Sequence, residues 1–119
     1  MQYGSSGALT DAKIVANTGY GIELSGDPAL EVFGGMIKDN ASEGAWITED
    51  SFLHLNEVQV TGNTGHGVAI ARDSGVVISG NSSVTGNVPF YQLACQGEES
   101  SVAVDYGAVV GPMEACSGF

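Results

Sequence analysis

Two side chains that could carry out acid–base chemistry, Glu43 and His66, stand 23 positions apart in this sequence. A carboxylate next to an imidazole can orient the ring and support proton transfer to or from a substrate. The pair can work only if the fold places side chains at this spacing next to each other. Glu43 and His66 are therefore candidate catalytic residues whose chemistry depends on a repeating fold.

A second group has residue types that suit ligand binding. Trp46 lies 23 positions after Glu23 and 23 positions before Ala69, and Leu93 is expected to continue this column. An indole beside a small residue and a carboxylate offers an apolar face and a hydrogen-bond acceptor to a sugar. The alternative is a surface aromatic that packs against a loop or a partner subunit. Arg72 is a third candidate for binding and is expected to pair with Glu49, whereas His54 is expected to be a solvated surface residue.

A third group of carboxylates could hold a cation. Asp27, Asp50 and Asp73 recur at the same spacing of 23 positions, and calcium prefers several oxygen ligands. The Asp-Pro and Asp-Ser dipeptides are also typical of type I turns in which the carboxylate accepts backbone N–H groups. We favour the turn. No cofactor is therefore expected, and calcium is the one that the pattern allows.

The same spacing recurs in residues that have no evident chemistry. Successive asparagines are separated by 23, 23 and 24 positions, and a glycine follows the first three asparagines by four positions. These structural columns are Asn17, Asn40, Asn63 and Asn87, and Gly21, Gly44 and Gly67. A further apolar column contains Ile14, Ile37, Val60 and Val84. The single longer interval predicts a one-residue insertion near Gly80 and Asn81.

A fixed period of this length is typical of solenoids, in which each repeat packs on its neighbours. Within each period, three short runs alternate apolar and polar residues, which predicts three strands per coil. Stacked coils would lie roughly 4.8 Å apart. The pattern therefore predicts an all-β parallel β-helix of about five coils, with the asparagines pointing inward as a hydrogen-bonded ladder.

From about Leu9 to Val104, the repeat N-x-x-x-G-I-x-L resembles that of the right-handed parallel β-helices of the pectin-lyase-like superfamily. The resemblance implies a right-handed solenoid, and a short or C-terminal fragment of a longer protein. Gly65-His66-Gly67 also resembles the Gly-His-Gly motif of polygalacturonases, which implies a polysaccharide hydrolase that uses His66, and Glu43 would lie one coil below it. A lyase would need calcium and a basic residue, for which Arg72 is the only plausible candidate. However, this chain has Asn63-Thr64-Gly65 where that family has Asn-Thr-Asp, and it lacks the Asp-Asp and Arg-Ile-Lys motifs. We therefore expect a non-catalytic module for binding or assembly, with a carbohydrate-active enzyme or glycan-binding fragment as the alternative.

The length predicts one domain over residues 1–119, with a disordered or partial start at 1–8, stacked coils at 9–96 and a C-terminal cap at 97–119. Cys95 and Cys116 are expected to form a disulfide that ties the cap to the last coil, contributing about 3 kcal/mol. Two buried thiols are the alternative. A disulfide favours an extracellular or cell-surface location, although the first residues lack the features of a signal peptide.

The formal net charge of −11, with only three basic residues, argues against binding to nucleic acid or to an anionic membrane. It is compatible with a neutral or cationic polysaccharide. The first coil has no evident covering segment, and exposed strand edges favour pairing with another chain. A homo-oligomer formed through the open N-terminal coil is therefore expected.

Overall fold

The computed structural model of the chain describes residues 6–87, 92–96, 101–104, 108–111 and 113–114, and these form strands and turns with no helix. In chain order the strands are β1 (Ser6–Val15), β2 (Ile22–Leu24), β3 (Ala29–Lys38), β4 (Ala45–Ile47), β5 (Phe52–Asn56), β6 (Gln59–Thr61), β7 (Val68–Ala71), β8 (Gly75–Ser79), β9 (Ser83–Val84), β10 (Leu93–Gln96), β11 (Ser101–Val104), β12 (Val109–Val110) and β13 (Met113–Glu114). None of the described segments is a helix that could span a membrane.

The strands pair in parallel and form three faces along a solenoid. Face A has the strand order β13-β10-β7-β4-β2. The other sheet bends at Gly34 and Gly35, so that the first half of β3 pairs with β5 and its second half pairs with β6. Face B therefore contains the first half of β1 and of β3, with β5, β8 and β11, while face C contains their second halves with β6, β9 and β12. The predicted β-solenoid is confirmed, with about four turns of about 23 residues where about five were expected.

Apolar and polar residues alternate along each strand, so the apolar side chains point inward. Each of them stacks on the equivalent side chain of the next coil. Ile14 pairs with Ile37, Ile37 with Val60 and Val60 with Val84, as the repeat predicts. The last three are fully buried, and Ile14 packs against the same core. Burying side chains of this size contributes about 1.5–3 kcal/mol each before entropy is counted. The core is thus a continuous column parallel to the solenoid axis.

The bend between faces B and C uses a left-handed backbone in every coil. Asp11, Gly34, Glu57 and Gly80 occupy equivalent positions, with φ values of 53°, 76°, 59° and 67°. Glycine adopts this region without steric cost, and aspartate does so more readily than most residues. The predicted insertion lies at the last of these corners, because Asn56 pairs with Ser79 but Gln59 pairs with Ser83.

The asparagine ladder is confirmed and runs from coil to coil. The Nδ2 of Asn40 donates to the Oδ1 of Asn63 at 2.8 Å, and the backbone amide of Asn40 donates to the same oxygen at 3.0 Å. Asn63 repeats both bonds with Asn87, at 2.7 and 3.0 Å. Gln92 then replaces asparagine, because its Oε1 accepts from the backbone and side-chain amides of Asn87, both at 2.8 Å. Buried amides are thereby satisfied, which is the condition for placing them inside a core.

The predicted structural glycines allow the coils to approach closely at the corner between the asparagine ladder and face A. A Cβ on Gly44 would lie 2.6 Å from the carbonyl oxygen of Gly67, and one on Gly21 would lie 2.6 Å from that of Gly44. A Cβ on Gly67 would lie 2.6 Å from the carbonyl oxygen of Gln92. Atoms cannot approach so closely without displacement, so these three coils need glycine at this position.

The described ends of the stack are strands that continue its faces. The chain is in a strand from Ser6, within the start predicted to be disordered or partial, and this strand pairs only with β3 among the described residues. In the predicted cap, β11, β12 and β13 pair with β8, β9 and β10 and continue the three faces. The described part of 97–119 therefore extends the stack, since its apolar runs keep the alternation of the coils below.

Candidate functional site

The outward surface of face A carries the predicted binding residues. Trp46 pairs with Glu23 on one side and with Ala69 on the other, as the spacing predicts. Leu93 does not continue this column: it pairs with Val68 and is fully buried, while Ala94 pairs with Ala69. The prediction for Leu93 was wrong because the chain between these two coils is one residue longer than the repeat pattern indicates.

Trp46 is half-buried, and its ring stacks on Tyr20. The two ring centroids are 6.2 Å apart and the ring planes are inclined by 16°, which is an offset-stacked arrangement. Tyr20 lies one coil before Trp46 and three positions earlier in the repeat, so it is a diagonal neighbour. It remains 37% exposed. No binding role was predicted for Tyr20, although the reach of aromatic rings to diagonal partners was the available signal.

The candidate catalytic residues lie in successive coils of one column. The backbone amide of Gly21 donates to the carbonyl of Glu43, and that of Gly44 donates to the carbonyl of His66. The Oε1 of Glu43 accepts from the hydroxyl of Ser42 at 2.7 Å, and His66 is buried. The column is thus as predicted, while catalysis by Glu43 and His66 stays a prediction.

The third predicted binding residue, Arg72, contacts a carboxylate at the end of face A. Its Nη1 lies 3.3 Å from the Oε1 of Glu49, so the expected ion pair is confirmed. The two side chains are 74% and 52% exposed, and an ion pair so open to water contributes little to stability. Arg72 lies at a corner of the coil, directly after β7, the strand that carries Ala69.

The aspartate column also forms this corner, but with a different turn from the predicted type I. Asp27, Asp50 and Asp73 have φ values of 74°, 63° and 63°, and the residue before each also has a positive φ. Two successive positive φ values are typical of the central positions of a type I′ turn. The amides of Asp27 and Asp50 donate to carbonyls of the next coil. The aspartates therefore occupy a central position of the turn, whereas the prediction placed them at its first position.

Within the described ranges, no three histidine, cysteine or acidic side chains are grouped so that they could share a metal ion. The three aspartates accordingly lie as separate carboxylates along the corner. Cys95 is buried on β10, whereas Cys116 lies outside the described residues, so their disulfide stays a prediction. The described residues also form no concave pocket.

Face B brings together three polar residues, of which the repeat connects His54 with Glu31 but not with Ser79. His54 pairs with Glu31 and Val77 on adjacent strands, and its Nδ1 lies 3.7 Å from the Oε2 of Glu31. Its Nε2 lies 2.9 Å from the Oγ of Ser79. His54 is therefore a half-buried residue with two polar partners, and the prediction of a solvated side chain was wrong. Its partners are one coil before it and, diagonally, one coil after it.

Comparison with known families agrees with this architecture. The model of the right-handed β-helix region matches residues 1–108, and the chain therefore belongs to the right-handed β-helix family. No curated protein and no solved structure gave a significant match. Membership establishes the solenoid, and function has to be argued from the surfaces of this chain.

Proposed function

We propose that the chain is a non-catalytic β-helix module that binds carbohydrate through an aromatic platform formed by Tyr20, Trp46 and Glu23. The observation that carries the proposal is the stacked Tyr20–Trp46 pair on the outward side of face A. The core of the solenoid does not need these rings, because Leu24, Ile47 and their neighbours in the column fill it. Aromatic rings on a rigid sheet bind sugar rings through apolar contact.

The charge of the chain favours a particular class of carbohydrate. The formal net charge is −11, and Glu23 is next to Trp46 on the adjacent strand. An anionic polysaccharide would be repelled at low ionic strength, whereas a neutral or cationic one would not. The carboxylate of Glu23 can accept hydrogen bonds from sugar hydroxyl groups or pair with an amino sugar. We therefore assign neutral glucans and xylans, and cationic chitosan oligosaccharides, as the ligands to test.

The chain offers a direct assay, because Trp46 is its only tryptophan. Titration with each oligosaccharide should change the intrinsic fluorescence in a saturable manner if the ligand lies on the platform. Binding measured by calorimetry should be lost in Trp46→Ala and weakened in Tyr20→Ala. Phe52→Ala is the matched control, since Phe52 is an exposed aromatic on face B.

Three results would contradict the proposal. Binding that persists in Trp46→Ala would place the carbohydrate elsewhere, and equal losses in Trp46→Ala and Phe52→Ala would indicate a non-specific effect. A glycan array that shows no neutral or cationic ligand would leave the platform without a carbohydrate function. In that case the aromatic pair would be a contact surface for protein.

Assembly through the N-terminal coil is a second candidate function. Within the described residues, β1 and β2 have no strand on their outer side. Leu9 occupies the column of the buried Val32 but is 36% exposed, and Val15 is 42% exposed. Open strand edges with exposed apolar residues favour pairing with another chain. Light scattering should show a dimer or trimer that Leu9→Lys dissociates, and a monomer at all concentrations would refute the assignment.

Catalysis by Glu43 and His66 is tested separately. Assays for reducing sugars and for unsaturated products on several polysaccharides would detect a hydrolase or a lyase. Activity that disappears in His66→Ala would replace the binding proposal with an enzymatic one. An extracellular or cell-surface location accords with a carbohydrate ligand and is part of the same proposal.

A further inference from the structure

We propose that Ser79, His54 and Glu31 form an ester-hydrolysing site on the outer surface of face B. The three side chains come from adjacent strands β8, β5 and β3. The Ser79 Oγ and His54 Nε2 are 2.9 Å apart, and the His54 Nδ1 and Glu31 Oε2 are 3.7 Å apart. A hydroxyl that contacts an imidazole, with a carboxylate on the other ring nitrogen, is the arrangement that activates a serine nucleophile. This site is independent of the aromatic platform on face A.

The carboxylate determines which nitrogen of His54 is suited to act as a base. Glu31 lies on the Nδ1 side, so it favours the tautomer with a proton on Nδ1. The Nε2 then has a free lone pair and can accept the hydroxyl proton of Ser79. That hydroxyl has a second, longer contact of 3.4 Å with the carbonyl of Leu55. The shorter contact is with the nitrogen that would remove the proton.

The position of Ser79 in the chain also suits a nucleophile. It is the last residue of β8, and Gly80 follows it with a φ of 67° at the corner that contains the insertion. A sharp turn directly after the nucleophile is used by esterases, and the amide of the next residue is one of their oxyanion donors. Gly80 is the residue that follows Ser79 here. The turn therefore supplies the candidate group that would stabilise a tetrahedral intermediate.

The surroundings restrict the substrate to small acyl esters. Only 9% of the surface of Ser79 is exposed, so a large acyl group cannot reach its hydroxyl. His54 is 27% and Glu31 is 53% exposed, which leaves the ring open to water on one side. The ring of Phe33 lies edge-on to that of His54, with the two ring centroids 6.3 Å apart, and adds an apolar wall. We assign a short-chain carboxylic ester, of the acetyl type, as the substrate class.

The reaction balances with water as the only co-reactant. The Ser79 Oγ attacks the ester carbonyl while its proton moves to the Nε2 of His54. The bond between the acyl carbon and the alcohol oxygen then breaks, and the alcohol leaves with that proton. Water next attacks the acyl-serine and gives its proton to His54. The second tetrahedral intermediate releases the carboxylic acid, and Ser79 recovers its hydroxyl.

The test is covalent modification of the whole chain by p-nitrophenyl acetate and by a fluorophosphonate, followed by peptide mass mapping. We expect a stoichiometric adduct on Ser79, with a rate at least about 10²-fold lower in His54→Ala. Ser83→Ala is the matched control and should react as the wild type, because its hydroxyl bonds to Gln59 and not to a histidine. Ester hydrolysis by free imidazole groups would leave no acyl group on Ser79, so the adduct decides between them.

Glu31 is a positioning residue and requires its own measurement. Glu31→Gln should lower kcat for p-nitrophenyl acetate and leave KM unchanged, and Glu31→Asp should recover part of the loss. A wild-type chain that carries no adduct on Ser79 at millimolar probe overturns the proposal, and this result does not depend on how any variant folds. Equal labelling of wild type and of a folded His54→Ala chain overturns it as well. Thermal unfolding of each variant shows whether it is folded.

Discussion

Replacing Gly44 with alanine should destabilise the protein strongly, because neighbouring atoms occupy the space that a methyl group needs. The added Cβ would lie 2.6 Å from the carbonyl oxygen of Gly67, 2.8 Å from the Cγ1 of Val60 and 2.9 Å from the Nδ2 of Asn63. None of these atoms can retreat easily. Val60 and Asn63 are fully buried, and the oxygen of Gly67 accepts a 2.9 Å hydrogen bond from the amide of Ala45.

The expected size of the effect follows from these contacts. Overpacking a closely packed core costs about 1–3 kcal/mol. Displacing Asn63 weakens the ladder as well, and each hydrogen bond contributes about 1 kcal/mol. We therefore expect Gly44→Ala to lower the free energy of unfolding by about 3 kcal/mol. For a chain of this length, that is a fall in Tm of about 10 °C.

Gly19→Ala is the matched control for this measurement. A Cβ on Gly19 would meet no atom within 4 Å, so the folded state should accept it. Both substitutions restrict the unfolded chain equally, and this contribution cancels in the comparison. Urea unfolding followed by far-ultraviolet circular dichroism should give Gly19→Ala a stability within about 0.5 kcal/mol of the wild type. Equal stabilities for Gly44→Ala and Gly19→Ala would refute the close approach of the coils at this corner.

Three further substitutions test the ladder and the surface by the same unfolding measurement. Asn63→Ala should cost about 2–4 kcal/mol, because it leaves buried backbone amide and carbonyl groups without partners, whereas the exposed Asn81→Ala should change stability little. Gln92→Leu keeps the side-chain volume but removes the acceptor for both amides of Asn87; we expect a loss of about 2–3 kcal/mol, and a neutral result would show that the ladder ends before it. Arg72→Ala should change stability by less than about 1 kcal/mol, since its ion pair with Glu49 is exposed, and a larger loss would reveal a packing role for the arginine stem.

The inward columns of the fold could be predicted from the sequence because each is set by a residue type that the core requires. At a ladder position the Oδ1 of asparagine accepts the backbone amide of the preceding coil, and the Nδ2 donates to the asparagine of the next coil, so no other residue type replaces it from Asn17 to Asn87. Glycine is equally constrained by the carbonyl of the following coil. Ile37 and Val60 need only be apolar and of suitable volume, yet their alternation with exposed residues still identifies the strand.

The sequence was less informative where the spacing changes. The ladder passes from Asn87 to Gln92, only five positions later in the chain, and no repeat pattern signals that step. The same departure moved Leu93 into the core. Gln92 lies in the same coil as Asn87, because Leu93 pairs with Val68 just as Asn87 bonds to Asn63, and its longer side chain takes the place of the asparagine that the next coil would supply. Such a substitution follows from the three-dimensional position of the backbone and not from the residue type.

Contacts between outward residues were missed for a different physical reason, which is the length of their side chains. Reading the sequence in columns assumes that a side chain meets only the residues directly above and below it. Tyr20 meets Trp46, and His54 meets Ser79, because rings and long side chains extend to diagonal neighbours on the adjacent strand. Outward columns also vary more in residue type than inward ones, and Trp46 and Ala69 share one column. The stacking of inward residues therefore maintains the coil, while diagonal pairs on its surface can acquire chemistry without any change in the ladder or the core.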